Sequence, residues 1–358
     1  MKLLIITQKV DQNDPILGFF HRWIMEFSKH CEKVTVICLQ KREYHLPDNV
    51  QVLSLGKEKQ LQERTSLKSS KRPVLEEQFS KIKYIWNFYR YIWQERKNYD
   101  SVFVHMNQEY ILLGSPIWHL RGRNIYMWRN HGMGNFLTCL ASYLCKKVFC
   151  TSTESYTAKF KNTVIMPVGV DTNIFKPIVS VIRKKYSICM VGRISPPKHI
   201  DDTLKAVNLL IKSGVQVTFD IIGPRQERDS EYYNMLEKYI VDNELSSSVR
   251  ILPSVTHDKL PAIYSSYEIC INLSQSGMFD KTILESSACG TIPLVSNPAL
   301  SGVPKEVCIS GSHIEDIADT IRMALEPTYQ SVVKEKLQHF VELHSLKALG
   351  DKLFEEIK

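Results

Sequence analysis

Two basic side chains near a glycine form the clearest candidate for binding a phosphate. The apolar run at residues 187–191 predicts a strand, Gly192 and Arg193 follow it directly, and Lys198 precedes the next helical pattern. Fixed cations beside a glycine turn suit a diphosphate, because they stabilise the negative charge that a departing diphosphate gathers. Each charge-assisted hydrogen bond of this kind contributes roughly 1.5 to 3 kcal/mol. For Arg193 taken alone, an exposed ion pair is the alternative interpretation.

A carboxylate, Glu285, is the second candidate and lies within GMFDKTILESSACGTIP at residues 277–293. The pattern predicts a short helix with Glu285 near its start, a turn at Cys289 and Gly290, and an apolar strand at residues 291–295. A doubly wound sheet binds its ligands at the carboxyl ends of its strands, so Glu285 is a candidate hydrogen-bond acceptor there. The alternative is an acid that the helix dipole favours near a helix start.

Histidines at predicted strand ends are the candidates in the first half of the chain. His131 follows the strand predicted at 124–128, and His105 belongs to the end of the strand predicted at 101–106, with Glu109 shortly after it. At the tips of parallel strands, these side chains are candidates for the ligand-binding edge. The alternatives are a histidine that serves the core and a glutamate on the surface.

The loop at residues 8–20, after the first predicted strand, contains a further candidate. Asp14 and Pro15 predict a turn that leads into a helix. Gly18 then permits a close approach of another backbone, with an ordinary helix start as the alternative.

Short apolar runs alternate with helical patterns along the chain, as is typical of parallel strands covered on both faces. Strands are predicted at residues 2–7, 34–39, 50–55, 101–106, 124–128, 147–151, 163–166, 187–191, 217–222, 249–252, 269–273, 291–295 and 306–309. Helices are predicted at residues 16–30, 75–97, 201–212, 231–242 and 314–325, with a final helical segment at 332–357. The pattern predicts an α/β fold with two Rossmann-like domains, whose parallel sheets face a cleft between the domains.

The length of 358 residues exceeds what one hydrophobic core usually serves. The weakest joint lies at residues 177–186, where a proline and a cluster of charges separate two predicted strands. We therefore predict a first domain at residues 1–178, a second domain at 179–340 and a C-terminal helix at 341–358.

The net charge of +8 is unevenly distributed. Residues 1–178 contain 26 Lys and Arg against 15 Asp and Glu, whereas residues 179–358 contain 20 against 23. The basic first half favours an anionic partner, either a phosphate-bearing lipid surface or an acidic glycan, over nucleic acid. The alternative is that the charge serves solubility alone.

A helix predicted at residues 75–97 carries apolar side chains at three-to-four spacing, with basic residues beside them. The stripe comprises Phe79, Ile82, Trp86, Tyr89 and Trp93. Burial against the helix's own sheet is the favoured interpretation, and contact with an anionic membrane is the alternative.

No apolar run approaches the roughly twenty residues that a membrane-spanning helix requires, and the first residues lead directly into a strand. We therefore expect a cytoplasmic protein. The nine cysteines form no C-x-x-C pair, which favours reduced, buried thiols over zinc ligands or disulfides.

Three motifs together carry a resemblance to a known family. They are Gly192-Arg193 with Lys198, ILESSACGTIP at residues 283–293, and PVGVDTNIFKP at residues 167–177. They are similar to the GR and K positions, the LEAMACG-x-P motif and the NGVD-x-x-x-F-x-P motif of the retaining family 4 glycosyltransferases, which have the GT-B fold. The resemblance covers nearly the whole chain and is stronger from residue 167 onward.

The resemblance implies a role for each candidate residue. The second domain would bind a UDP- or GDP-sugar, the first would present the acceptor, and the C-terminal helix would pack back toward the first domain. Glu285 would accept hydrogen bonds from the ribose hydroxyls. The implied catalytic residues are His131, Arg193 and Lys198; the implied donor-binding residues are Gly192, Gly223, Asp280, Lys281 and Glu285; and the acceptor-side residues are Gly18, His105 and Glu109.

The implied activity is transfer of a hexose or N-acetylhexosamine, with retention of configuration, to a hydroxyl of a glycan or lipid-linked acceptor in cell-surface polysaccharide synthesis. No metal or other cofactor is expected, because fixed cations serve the leaving diphosphate. The family usually has a further Glu where this chain has Gly277. This difference suggests a non-catalytic, nucleotide-sugar-binding partner subunit as one alternative. The other is a nucleotide-sugar 2-epimerase, which would use the same nucleotide crevice. A peripheral position on the inner face of the membrane is an alternative to a purely cytoplasmic one.

Overall fold

A computed structural model describes residues 1–14, 17–58, 74–274, 281–296, 302–311 and 313–358, with the backbone alone at 74–79. The chain divides into two compact units, residues 1–166 with 349–358, and residues 167–348. The predicted division at 178/179 followed from a proline and a run of charges. The structure divides earlier, because Val168, Val170 and Phe175 belong to the hydrophobic core of the second unit.

A parallel sheet forms the centre of the first unit. Its strands are β1 (Lys2–Val10), β2 (Lys33–Lys41), β3 (Val50–Ser54), β4 (Ser101–His105), β5 (Asn124–Trp128), β6 (Lys147–Cys150) and β7 (Thr163–Ile165). They lie in the order β3-β2-β1-β4-β5-β6-β7, and every neighbouring pair is parallel. All carboxyl ends therefore lie along one edge. The sequence predicted each of these strands, and the differences are confined to their ends.

Helices connect the strands of the first unit. They are α1 (Gly18–Ser28), α2 (Val74–Gln94), α3 (Gln108–Leu120) and α4 (Phe136–Tyr143). Neither α3 nor α4 was predicted from the sequence. Gly114 and Pro116 argue against a helix at α3, because both residue types are unfavourable inside helices. Here a Cβ on Gly114 would lie 2.3 Å from the Trp118 ring, so the glycine makes room for a buried indole.

A second parallel sheet forms the centre of the second unit. Its strands are β8 (Ser187–Val191), β9 (Thr218–Ile222), β10 (Val249–Leu252), β11 (Ile269–Asn272) and β12 (Ile292–Val295), in the order β10-β9-β8-β11-β12. The strand predicted at 306–309 is wrong. After Pro304 the chain forms the 3-10 turn Lys305–Val307, and only a single bridge joins Cys308 to Val295. Two parallel sheets, one in each unit, confirm the predicted α/β fold with Rossmann-like domains.

The remaining helices begin in the second unit. They are α5 (Ile200–Lys212), α6 (Ser230–Asp242), α7 (Leu260–Ser265), α8 (Lys281–Ala288), α9 (Ile314–Ala324), α10 (Pro327–Leu343) and α11 (Leu346–Glu356). Short 3-10 turns lie at Tyr156–Lys159, Pro196–Lys198, Glu227–Asp229, Leu245–Ser247, His257–Lys259 and Lys305–Val307. The final helical segment is two helices, because the carbonyl of His344 between them accepts hydrogen bonds from the amides of Gly169 and Val170, each at 3.0 Å.

The nine cysteines are free thiols, and seven of them are buried. Burial raises the pKa of Cys31 and Cys289 to about 12, so these thiols remain protonated at neutral pH. The burial of these seven thiols agrees with the expectation of buried cysteines. None of the helices in the described residues combines the length and apolarity that crossing a bilayer requires.

Candidate active site

Two glycines bring the ends of β8 and β9 into close backbone contact. Gly192 follows β8 with a φ of +148°, a conformation that favours glycine. A Cβ on Gly223, which follows β9, would lie 1.7 Å from the carbonyl oxygen of Gly192 and 3.5 Å from the amide nitrogen of Arg193. A side chain at Gly223 therefore cannot fit. The two predicted glycines form one glycine turn at the carboxyl edge of the second sheet.

The two predicted cations lie beside this glycine turn. Lys198 ends the turn Pro196–Lys198, and its Nζ lies 3.9 Å from the position that a Cβ on Gly192 would occupy. Arg193 is exposed and donates from Nη1 to Oε1 of Gln226 at 3.3 Å. The structure therefore brings Arg193 and Lys198 to the same turn, while their roles toward a ligand stay predictions.

Glu285 is buried although it carries a carboxylate, with 6% of its surface exposed. It lies in the interior of α8 and outside the first helical turn, so the predicted position near the helix start is wrong. Its Oε1 lies 3.3 Å from Nε2 of His257. Burying a carboxylate is costly without such a partner, and His257 therefore fixes the position of the carboxyl group.

His257 is the site residue that the sequence analysis missed. It begins the turn His257–Lys259, on the connection from β10 to β11 that crosses the two intervening strands. The ring of Phe175 packs edge-on against the imidazole, with the ring centres 5.1 Å apart. No local pattern marks His257, because its partners Glu285 and Phe175 belong to separate elements.

Lys281 lies one helical turn before Glu285, at the beginning of α8. Burial lowers the pKa of Lys281 to about 7, and the carboxylate of Glu285 opposes this effect. Near neutral pH, Lys281 can therefore gain or lose a proton. The neighbouring Thr282 accepts a hydrogen bond from Nδ2 of Asn272 at 2.9 Å, which ties this helix end to β11. The predicted Asp280, like Gly277, lies outside the described residues.

His131 follows β5 in the first unit and is half-buried. Its Nδ1 lies 3.0 Å from the amide nitrogen of Met133, and its carbonyl accepts a hydrogen bond from the amide of Tyr156 at 2.9 Å. Nδ1 also lies 3.1 Å from the carbonyl oxygen of Met133, so both backbone groups of Met133 contact the same ring nitrogen. His131 is thus held by the backbone.

Glu109 is exposed at the start of α3 and lies near the segment that holds His131. Burial lowers the pKa of Arg129, and the negative charge of Glu109 opposes this effect. Arg129 in turn donates from Nη1 to the carbonyl of Met133 at 3.0 Å. The structure therefore brings Glu109 and His131 to the neighbouring ends of β4 and β5.

His105 lies inside the core of the first unit, with 3% of its surface exposed. Its ring stacks on Phe20 with the ring centres 3.9 Å apart, and its Nδ1 lies 3.2 Å from Oγ1 of Thr7. The structure therefore favours the core alternative over an acceptor-side position, because α1 covers this strand end with aromatic side chains.

Gly18 permits a close backbone approach, as predicted, although the approaching backbone is its own loop. A Cβ on Gly18 would lie 3.0 Å from the carbonyl oxygen of Gln12. Oδ1 of Asp14 accepts from the amide of Leu17 at 2.7 Å, which confirms the predicted turn before α1. The acceptor-side role of Gly18 stays a prediction.

Comparison with known proteins identifies a domain in the second unit. The family Glycosyl transferases group 1 matches residues 172–331. The GtfA subunit of a UDP-N-acetylglucosamine–peptide N-acetylglucosaminyltransferase from Streptococcus pneumoniae is 31% identical over 140 residues, which are 39% of this chain and 26% of that protein. A D-inositol 3-phosphate glycosyltransferase from Acidothermus cellulolyticus is 29% identical over 156 residues, 40% of this chain and 34% of that protein. The matches thus span only about a quarter to a third of these relatives.

Solved structures match over nearly the full chain. HepE from Anabaena, determined in complex with UDP, has a TM-score of 0.74 at 17% identity and covers 99% of both chains. A glycosyltransferase from Rickettsia africae has a TM-score of 0.72 at 14% identity and covers 100% of this chain and 98% of that chain. At such identities the likeness establishes the fold, which is GT-B. The domain match confirms the resemblance to glycosyltransferases over residues 172–331, and the solved structures confirm the predicted GT-B fold.

Proposed function

We propose that this chain, which has the GT-B fold and matches Glycosyl transferases group 1 over residues 172–331, transfers a sugar from a UDP-sugar to a hydroxyl. We favour UDP over GDP because the GtfA relative is named for a UDP-sugar and HepE was determined with UDP. The proposed acceptor is a glycan or a lipid-linked glycan in polysaccharide synthesis. Retention of configuration is part of the proposal.

The glycine turn with its two cations is the observation that carries the proposal. Gly192 and Gly223 leave no side chain over the turn, and the ammonium group of Lys198 lies beside Gly192. A diphosphate can therefore approach the backbone and meet Arg193 and Lys198. As the bond from the sugar to the diphosphate breaks, these cations stabilise the negative charge that develops on the leaving group.

Glu285 is the proposed acceptor for the ribose hydroxyls. His257 holds the carboxyl group at one oxygen, Oε1, and we assign the other oxygen to a hydroxyl donor. In the proposed retaining reaction, the departing phosphate takes the proton of the acceptor hydroxyl on the same face of the sugar. His131 is proposed to form a hydrogen bond with the donor sugar.

Nucleotide binding by charge variants tests the proposal. Arg193→Ala and Lys198→Ala each remove a charge-assisted hydrogen bond, and UDP affinity should fall roughly tenfold or more. Lys205→Ala is the matched control, because Lys205 is a surface cation of the same unit that pairs with Asp201 and Asp202. Thermal shift with UDP, GDP and ADP measures the effect, since binding raises apparent stability. Unchanged affinity in both variants overturns the proposed diphosphate site.

Two related activities are separated by product analysis. Incubation with a UDP-sugar but no acceptor yields net epimerisation only if the chain is a nucleotide-sugar 2-epimerase. Donor binding without turnover across a broad acceptor panel would instead indicate a non-catalytic partner subunit. No metal is part of the proposed reaction; among the residues with described positions, no group of three or more His, Cys, Asp or Glu is placed to hold one.

Peripheral contact with an anionic membrane is a second proposal, supported by α2. This helix buries Phe88 and Ile92 in the core but leaves Ile82, Trp86 and Trp93 exposed. Three of the five residues of the predicted stripe are therefore exposed, against the favoured interpretation that the stripe is buried against its own sheet. Arg96 lies over the Trp93 ring at 4.9 Å and adds positive charge to the exposed face. Vesicle co-sedimentation tests this proposal. It would be wrong if the protein bound neutral and anionic vesicles equally, or if Trp93→Ser bound anionic vesicles as well as the unaltered protein does.

A further inference from the structure

A pocket of about 520 Å³ lies in the first unit, where β2 and β3 end beside α2. The volume is in the range of pockets that bind small molecules. Parallel sheets of this kind bind ligands at the carboxyl ends of their strands, and the pocket lies at such an edge. Among the roles proposed above, only the membrane contact of α2 involves a residue of this pocket, Trp86.

The charge in the pocket favours an anion. Lys41, Lys83 and Arg90 line it, and Glu58 is the one carboxylate among the lining residues that the structure describes. Glu58 accepts a hydrogen bond from Oγ of Ser54 at 2.7 Å. No carboxylate in the described part of the chain forms an ion pair with Lys41 or Lys83. Among the described residues, the pocket lining therefore carries more positive than negative charge.

The pocket also presents an aromatic surface held in place by a cation. Trp86 lines the pocket with 61% of its surface exposed. The guanidinium of Arg90 lies 5.1 Å from the Trp86 ring centre and 4.8 Å from that of Tyr91. These contacts orient Trp86 and Arg90 together. An exposed indole can pack against the apolar face of a sugar ring while the cations bind acidic substituents.

The rim of the pocket is fixed by the backbone. Asn87 donates from Nδ2 to the carbonyl of Leu55 at 3.0 Å, and the amide of Gly56 donates to Oγ of Ser54 at 3.0 Å. Gly56 adopts a φ of +104°, which allows the chain to turn at the end of β3. The pocket is thus preorganised, which lowers the entropic cost of binding a ligand.

We propose that this pocket binds an acidic saccharide, one that carries carboxylate or phosphate groups, as part of an extended acceptor. This inference rests on the proposed glycosyltransferase function and adds the chemical class of the acceptor. A concave pocket that combines one indole with three cations fits a discrete sugar segment. A membrane surface would instead use the convex, outward face of α2, where Trp93 lies outside the pocket.

The test compares an acidic and a neutral oligosaccharide by titration calorimetry on the full chain. Trigalacturonate should bind, and maltotriose should bind at least roughly tenfold more weakly, because it lacks the charges that the cations bind. Lys41→Ala and Trp86→Ala should each weaken trigalacturonate binding roughly tenfold. Trp93→Ala is the matched control and should change it less than twofold, since Trp93 is an exposed indole on the same helix outside the pocket.

The outcomes distinguish the alternatives. Equal binding of the two sugars, or unchanged binding in Lys41→Ala and Trp86→Ala, overturns the pocket proposal. Loss of anionic-vesicle binding in Trp86→Ala, without any saccharide binding by the unaltered protein, overturns it in favour of a membrane. UDP-induced stabilisation is measured on the same preparations. A failure of UDP binding overturns the proposed function, whereas normal UDP binding without saccharide binding overturns only this inference.

Discussion

At the scale of single residues, the pairing of Glu285 with His257 explains how a buried carboxylate can serve as a ligand group. Burial holds the carboxyl group still, and His257 supplies the hydrogen bond that compensates its lost hydration. Phe175 limits rotation of the imidazole. His257 is therefore a positioning residue. It should affect nucleotide affinity only by orienting Glu285 toward the ribose, as proposed.

His257→Ala should weaken the binding of uridine and of UDP by a similar factor, roughly tenfold, because both ligands carry the ribose. His257→Gln retains an N–H donor and should restore most of the affinity. Lys198→Ala should weaken the binding of UDP but leave the binding of uridine unchanged, because uridine has no phosphate. Titration calorimetry with both ligands measures these effects. If His257→Ala weakened the binding of UDP but not that of uridine, the assignment of Glu285 to the ribose hydroxyls would be wrong.

The proposed donor-binding role of Lys281 predicts that nucleotide binding depends on pH. Burial lowers its pKa to about 7, so in the free protein the ammonium loses its proton as the pH rises through neutrality. A bound diphosphate favours the charged form and raises the pKa, so binding takes up a proton. UDP affinity should therefore fall as the pH rises from 7 to 8.5. Below neutrality, where Lys281 is already charged, the uptake should vanish.

The control for Lys281 is Lys281→Arg, whose side chain stays protonated throughout this range. It should bind UDP with little dependence on pH, and its binding should take up no proton. Calorimetry in two buffers of different ionisation enthalpy measures proton uptake directly. Identical uptake in the unaltered protein and in Lys281→Arg would assign the proton to another group.

At the scale of elements, the ends of β8 and β9 approach so closely that glycine is required. A Cβ on Gly223 would overlap the carbonyl oxygen of Gly192, and a backbone atom cannot yield as a flexible side chain does. Gly223→Ala should therefore cost about 1 to 3 kcal/mol or more of folding free energy and weaken UDP binding. Denaturant unfolding measures the loss. Gly132→Ala is the control, because a Cβ there has nothing within 4 Å.

The strands were predictable from sequence because each buried parallel strand is a short apolar run bounded by polar residues. This is true of β8, predicted as Ser187–Val191, and of β5, predicted as Asn124–Trp128. The helix α3 was not, because Gly114 and Pro116 conceal a helical pattern that only the packing of Trp118 explains. The strand predicted at 306–309 failed because its apolar residues pack without forming a ladder.

The candidate site likewise contains residues that the sequence predicted and contacts that only the structure reveals. Gly192, Arg193, Lys198 and Glu285 were found because they belong to contiguous motifs. The contact of His257 with Glu285 and the position of His105 beneath Phe20 depend on tertiary packing, which one sequence does not encode locally. The pocket beside α2 was hidden for the same reason, since Lys41 and Trp86 are far apart in sequence.

At the scale of the whole molecule, the chain returns to its first unit at its end. Residues 349–358 belong to that unit, where the hydroxyl of Tyr126 donates to the carbonyl of Ile357 at 3.1 Å. Lys147 donates to the carboxylate of Glu356 at 2.6 Å, and Lys352 donates to the carbonyl of Ile165 at 2.7 Å. The stability of the first unit therefore depends on residues that lie beyond the second unit in sequence.

Phe354→Ala tests this dependence. Phe354 is buried, its ring meets Phe27, and the ring of His30 stacks on it with the centres 4.7 Å apart. Removing such a ring typically costs about 3 to 5 kcal/mol. Hydrogen exchange should increase across the strands of residues 1–166, while exchange in residues 167–348 and UDP-induced protection there stay unchanged. Glu355→Ala is the control, because Glu355 is the exposed neighbour of Phe354. If Phe354→Ala instead raised hydrogen exchange uniformly in both units, the two units would unfold as one.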